Sequence, residues 1–129
     1  MSFLSQLSSL FAPAAAADVR RVAPAEAAQL VREKKAVLVD VREPAEWASG
    51  VAQKAVLLPL SDLHGGRRQW QPFLDQMGDR EILLYCRSGS RSGVAARALA
   101  SEGFKTANAG SLHAWERAGL PVCRPKQFR

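Results

Sequence analysis

From Asp18 onward, apolar and polar positions come in blocks that predict strands and helices in turn. Residues 19–22 predict a short strand. Pro24 at a first helical position, Glu26 in the first turn, and Ala27, Leu30 and Val31 on one face predict a helix. Val37-Leu38-Val39 is wholly apolar, as expected of a strand covered on both faces. Residues 44–49 predict a brief helix ended by Gly50, and residues 55–58 a strand stopped by Pro59. Ser61 suits the cap of a short turn that Gly65-Gly66 breaks. Trp70, Phe73, Leu74 and Met77 form an i, i+3, i+4, i+7 face, with Pro72 in the first turn and Gly78 at the end. Residues 81–85 predict an apolar strand, followed by a polar loop, 86–92, and a helix carrying Val94, Ala95, Ala98 and Leu99. Residues 104–107 predict one more strand and 111–117 a last helix around Trp115. Such alternation argues for an α/β fold with a mainly parallel central sheet and helices on both faces. In open sheets of this class ligands sit beyond the carboxyl ends of the strands. Cys86 stands at just such a place.

The 129 residues suffice for one domain. Ahead of it, Phe3, Leu4, Leu7, Leu10 and Phe11 recur at helical spacing and predict a short amphipathic helix, with residues 12–17 as linker. A secretory signal is disfavoured, because no Lys or Arg opens the chain and Gln6 and several serines interrupt the apolar stretch. The expected layout is an N-terminal extension over 1–17, a domain over 18–123 and a basic tail over 124–129. No apolar run approaches the ~20 residues that span a bilayer. Two cysteines are too few for a disulfide framework, and no Cys/His cluster has zinc-like spacing. A reducing, cytoplasmic setting is expected, with no metal and no cofactor. The net charge of +6 is scattered over Arg20-Arg21, Lys34-Lys35, Arg67-Arg68 and the tail, without a basic helix or aromatic interleaving. That excludes an ordinary nucleic-acid module. Arg87 and Arg91 are different because they flank Cys86, where they favour an anionic substrate.

The chemistry concentrates in Tyr85-Cys86-Arg87-Ser88-Gly89-Ser90-Arg91-Ser92. A thiol after a strand, with small residues leading into a helix, gains anion stabilisation from three sources. Successive backbone N–H groups can converge on the sulfur, with Gly89 free to adopt φ > 0. The helix N-terminus adds partial positive charge. Arg87 and Arg91 add full charges. Each favours thiolate, the reactive form. Cys123, with no Cys-x-x-Cys partner, reads as a bystander.

At this loop the chain resembles the single-domain rhodaneses, the thiosulfate sulfurtransferase family. The matching stretches are Val39-Asp40-Val41-Arg42-Glu43-Pro44-Ala45-Glu46-Trp47, Leu58-Pro59-Leu60, the loop itself, and Gly103-Phe104, Asn108-Ala109-Gly110, Trp115 and Gly119-Leu120-Pro121-Val122, in the family's order. Two stretches depart from the family's pattern: Gly50-Val51-Ala52 where Gly-His-Ile is usual, and Gly110-Ser111 where paired glycines are frequent. Neither touches the loop. The resemblance implies a rhodanese-like fold in which Cys86 takes a sulfur from thiosulfate, carries it as a persulfide, and yields it to cyanide, a thiol or a protein acceptor. It also implies that Arg87, Ser88, Gly89, Ser90 and Arg91 bind the donor and the persulfide, with one arginine free to brace the loop instead.

A related fold carries dual-specificity phosphatases, whose Arg stands six positions after the Cys. Here Arg91 is five positions on, and the narrower ring suits one sulfur better than three phosphoryl oxygens. The loop also lacks an Asp to act as general acid toward a leaving alkoxide.

Asp40 and Arg42 end a central strand and carry two readings: orientation of the loop or donor, or an ion pair and cap for the Pro44 helix. Glu43 and Glu46 read as helix N-terminal charges. Trp47, Trp70 and Trp115 read as core, and His64 and His113 as surface or packing residues. A protein-to-protein sulfur carrier and a non-catalytic regulatory module are the alternative functions.

Overall fold

The computed structural model describes residues 19–125. The expected N-terminal helix and linker, and the tail beyond residue 125, lie outside them. The elements, in order, are β1 (Arg20–Arg21), α1 (Pro24–Arg32), β2 (Ala36–Asp40), α2 (Pro44–Trp47), β3 (Val51–Ala52), β4 (Val56–Leu57), α3 (Leu60–His64), α4 (Trp70–Asp75), β5 (Glu81–Cys86), α5 (Ser90–Ser101), β6 (Thr106–Ser111), α6 (Leu112–Arg117) and β7 (Val122–Cys123). Five strands form one parallel sheet in the order β1-β6-β5-β2-β4, and β3 and β7 pair antiparallel beside it. Among the described residues no helix is long and apolar enough to cross a membrane.

Strand parity divides the core in two. Side chains of a strand alternate between faces, so Ile82, Leu84 and Cys86 point one way, against Leu63, Trp70, Leu74, Met77, Ala95, Ala96 and Leu99 of α3, α4, α5 and the turn after α4. Leu83 and Tyr85 point the other way, toward Ala27 and Ala28 of α1 and Trp115 of α6. Cys86 therefore lies on the face that α5 covers. All three tryptophans are buried, as expected.

Three local expectations are corrected. Ser61 does not cap its helix: Pro59 holds that position, and the Ser61 hydroxyl donates to Glu43 at 2.6 Å. On α5, Val94 faces outward at 40% exposure, while Ser92, Gly93, Ala95, Ala96 and Leu99 are buried. The last central strand runs over Thr106–Ser111 rather than 104–107. The second and third corrections share a cause. The face of β6 that meets α5 is polar: Thr106 donates to the Ala96 carbonyl at 2.9 Å and Asn108 reaches into the loop. A helix can lie this close only with small side chains, and a Cβ on Gly93 would stand 3.3 Å from the Asn108 Nδ2.

Between β5 and β6 the register slips: Leu84 pairs with Asn108 but Tyr85 with Gly110, leaving Ala109 as a bulge. Bulges re-aim the chain beside sites. This one brings Gly110, at φ 84°, next to the end of β5.

Candidate active site

β5 ends on Cys86, and the chain then turns through Gly89 at φ 96° before α5 begins. A left-handed residue there suits glycine, and it aims the Gly89 N–H at the Cys86 Sγ, 3.0 Å away. The Ser92 N–H lies 3.4 Å from the same sulfur and the Ser92 hydroxyl 3.5 Å. Cys86 has no exposed surface. Burial pushes its thiol up, but the Ser92 hydroxyl and the N–H groups of Ser92, Ser88 and Gly89 outweigh burial and hold the thiol below its ordinary range. Hydrogen bonds to the charged form have this effect.

The two arginines separate. Arg91 grips Glu46 through two bonds, Nη1 to Oε1 at 2.6 Å and Nη2 to Oε2 at 2.9 Å. That bidentate contact is the main reason Glu46 is held at about 2, against its partial burial and with help from the Glu43 N–H. The guanidinium is in turn held charged, first by Glu46 and, more weakly, by the Cys86 sulfur. Arg87 is exposed and makes no ion pair or side-chain hydrogen bond among the described residues. Ser88 and Ser90 are exposed on the loop.

At the end of neighbouring β2, Asp40 and Arg42 form a buried pair, with Arg42 Nη2 at 2.8 Å from Asp40 Oδ2 and the Arg42 N–H at 2.9 Å from Oδ1. Arg42 also donates to the Glu46 carbonyl at 3.3 Å and the Gly50 carbonyl at 2.7 Å. It thereby clasps the end of α2, whose Glu46 carboxylate holds Arg91. Glu43 and Glu46 form a reciprocal capping box at the start of the same helix. Burial and the nearby Asp40 push the Tyr85 hydroxyl far up, so it stays neutral and accepts from the Ala52 N–H at 2.8 Å.

Of the residues singled out by sequence, Cys86, Ser88, Gly89, Ser90 and Arg91 are brought together in one loop, and Asp40 and Arg42 bear on it through α2. Arg87 stands at the rim. Cys123 is exposed on β7, and His64 and His113 are exposed. Sequence reasoning missed Ser92 and Asn108 as members of the site, and gave Glu46 only a helix role. Ser92 stands three residues after Gly89, the residue that precedes α5, where the first turn of a helix leaves its N–H groups free. Asn108 carried no such signal.

Two open clefts flank the loop. One, about 380 Å³, is lined by Arg21, Ser88, Gly89, Ser90 and Asn108 among others. The other, about 400 Å³, has Arg87, Arg42, Glu46, Ser49 and His113 in its walls.

A cysteine ends a central parallel strand and is cradled by amides of the short turn, Arg87 to Gly89, and of the helix that follows. Residues 23–118 match the rhodanese-like domain. The chain belongs to the rhodanese-like family. A sulfurtransferase of Allochromatium vinosum is 37% identical over 100 residues, covering 76% of this chain and 88% of that protein. An uncharacterized protein of Synechocystis is 37% identical over 107 residues, covering 81% of this chain but 56% of its own length, so this chain spans little more than half of that relative. Among solved structures, a rhodanese-related protein of Thermoplasma volcanium superposes with a TM-score of 0.68 at 26% identity, covering 82% of this chain and 99% of that one. The rhodanese-like fold, with its mainly parallel central sheet, is thus the one expected from the sequence.

Proposed function

We propose that this rhodanese-like protein is a sulfurtransferase in which Cys86 accepts a sulfane sulfur from a small anionic donor such as thiosulfate and hands it to a thiol, cyanide or a protein acceptor. One observation carries the reading: three backbone N–H groups and a hydroxyl converge on a single buried sulfur and hold it toward thiolate. The relatives named as sulfurtransferases support it.

In the first half-reaction the Cys86 thiolate attacks the outer sulfur of thiosulfate. The sulfur–sulfur bond of the donor breaks, sulfite leaves with its electron pair, and a persulfide remains on Cys86. In the second, a nucleophile attacks the terminal sulfur and the Cys86 thiolate departs, ready for the next cycle. The N–H groups of Ser88, Gly89 and Ser92 face negative charge at both stages, as donors do in an oxyanion hole. Arg87 draws the dianionic donor toward the rim. Arg91 fixes the loop to α2, and Asp40 with Arg42 fixes α2 to the sheet. The chemistry needs a free thiol and belongs in a reducing compartment such as the cytoplasm.

Intact-mass measurement after thiosulfate treatment tests the reading. The wild-type protein is expected to gain about 32 Da, one persulfide sulfur, and to release thiocyanate when cyanide is added. Cys86→Ser is expected to do neither. An adduct of the same mass on the Cys86→Ser protein would remove Cys86 from the reaction. A wild-type protein that alkylates readily at Cys86 yet takes no sulfur from thiosulfate would sink the donor assignment.

A further inference from the structure

Asn108 sits on β6 with its amide group filling the space between the bulge, the loop and α5. Its Nδ2 donates to the Gly89 carbonyl at 2.9 Å, and its Oδ1 accepts from the Gly110 N–H at 3.0 Å and from the Ser92 hydroxyl at 2.8 Å. Amide orientation is ordinarily an assignment, but here the partners dictate it. A carbonyl can only accept and a backbone N–H can only donate, so Nδ2 must face Gly89 and Oδ1 must face Gly110. The Ser92 oxygen, beside Oδ1, is therefore the donor of that contact.

A hydroxyl has one proton and two acceptor lone pairs. Ser92 stands between two acceptors, Asn108 Oδ1 at 2.8 Å and Cys86 Sγ at 3.5 Å, and can serve only one at a time. With its proton on Asn108 it presents lone pairs to Cys86, which suits a sulfur that carries a hydrogen. With its proton turned to Cys86 it suits an anionic sulfur, while Asn108 Oδ1 keeps the Gly110 N–H. Asn108 also anchors the carbonyl of Gly89, whose N–H makes the shortest hydrogen bond to the sulfur.

We propose that Asn108 is a positioning residue that sets the reactivity of Cys86 by competing with the sulfur for the single proton of the Ser92 hydroxyl while holding the Gly89 amide in place. The proposal rests on the Cys86-centred reading above, yet it concerns the sulfur before any donor arrives. The site is tuned by a swivelling hydrogen bond rather than by a fixed one. Other charges near the sulfur are Arg87 at the rim, Arg91 paired with Glu46, and the Asp40–Arg42 pair at the end of β2. All of them stay in place in the variants below. Gly93 leaves room for the arrangement, since a side chain there would press on the Asn108 amide.

The test is a double-mutant cycle read by the pH midpoint of Cys86 alkylation with iodoacetamide. Asn108→Asp and Asn108→Ala are each made in the native and the Ser92→Ala backgrounds. A carboxylate at 108 grips the Ser92 proton, so Asn108→Asp should raise the midpoint more with Ser92 present than absent. Asn108→Ala releases that proton to the sulfur, so its midpoint should lie lower with Ser92 present than the Ser92→Ala background predicts. Each coupling is expected to reach about half a pH unit, a roughly threefold change in the thiolate-to-thiol ratio, and the two should have opposite signs. A general loosening of the loop would give both the same sign. Additive effects in both pairs, or couplings of one sign, would overturn the proposal. If Asn108→Asp does not fold, the Asn108→Ala pair decides alone: a negative coupling supports the competition and a zero or positive one ends it. No sulfur donor enters the assay, so failure of the sulfur-transfer reading, which shows in the persulfide mass, remains distinguishable.

Discussion

Two arginine–carboxylate pairs stand on either side of α2, and they hold the site in different ways. Asp40–Arg42 is buried in the protein, with side-chain exposures of 0% and 6%, and each nitrogen of the Arg42 guanidinium donates to Asp40 or to the carbonyls of Glu46 and Gly50. Glu46–Arg91 is about one-third exposed on both sides, yet its contact is just as well aligned. A sealed pair is costly to break because the survivor is left charged in a poor solvent, whereas a wetted pair contributes little to stability. The first therefore belongs to the fold. The second belongs to the loop, where its value is orientation: it connects the first turn of α5 to a helix that the buried pair has already fixed.

The largest effect should come from breaking the buried member. Arg42→Ala strands Asp40 and two carbonyls, and is expected to cost about 3–5 kcal/mol in urea unfolding. A loss no greater than that of a surface pair would show that water reaches Asp40, and the contrast would dissolve. Arg91→Ala should cost under about 1 kcal/mol, yet slow sulfur loading about tenfold or more because the reacting loop is no longer held in register. Equal losses of stability in the two variants would merge the pairs into one structural device.

A third experiment sharpens the comparison through pH. Glu46 is held at about 2 by Arg91, below its ordinary 4.5. A carboxylate depressed by folding contributes stability that is complete above its unfolded value and disappears as the pH falls through the folded one. Wild-type protein should thus lose this contribution between about pH 4.5 and about 2, and Glu46→Gln should show a flatter acid limb over that window in urea midpoints. The smallest effect belongs to Arg87, which makes no ion pair or side-chain hydrogen bond among the described residues: Arg87→Ala should leave stability within about 0.5 kcal/mol. Its KM for thiosulfate should rise about fivefold, and the variant's loading rate should depend less on salt than the wild type's. A stability loss as large as that of Arg91→Ala would place Arg87 among the braces.

What the sequence disclosed, and what it hid, follows from where polar side chains point. The strands that lie between two apolar layers announce themselves, so β2, β5 and the loop after β5 were legible, and with them Cys86 and the fold class. β6 was not. Its sequence, Thr-Ala-Asn-Ala-Gly-Ser, has the alternation of a strand, but the side facing α5 is polar and the other side is only alanine. Phe104, directly after Gly103, was the stronger signal and drew the strand two residues too early. The same inversion moved Val94 outward and hid Asn108, whose part depends on a one-residue slip between β5 and β6 that no periodicity reveals. The β3–β7 pair, two residues long on each side, is too short for any pattern. The two pairs around α2 were visible only as charges: Asp40 and Arg42 were open between two readings, and the contacts show an ion pair that also anchors the helix supporting the loop.

The short β3–β7 ribbon has a bearing on how the protein can be handled. Gly50, whose carbonyl Arg42 grips, sits against Val122 so tightly that a methyl group there would lie 2.9 Å from the valine's Cγ1. Trimming the chain before Val122, or splicing a tag directly onto it, would unfasten residues 50–52 and leave the guanidinium clutching a loose end more than thirty positions away from the cysteine it indirectly serves. Any fusion partner should be attached beyond this clasp.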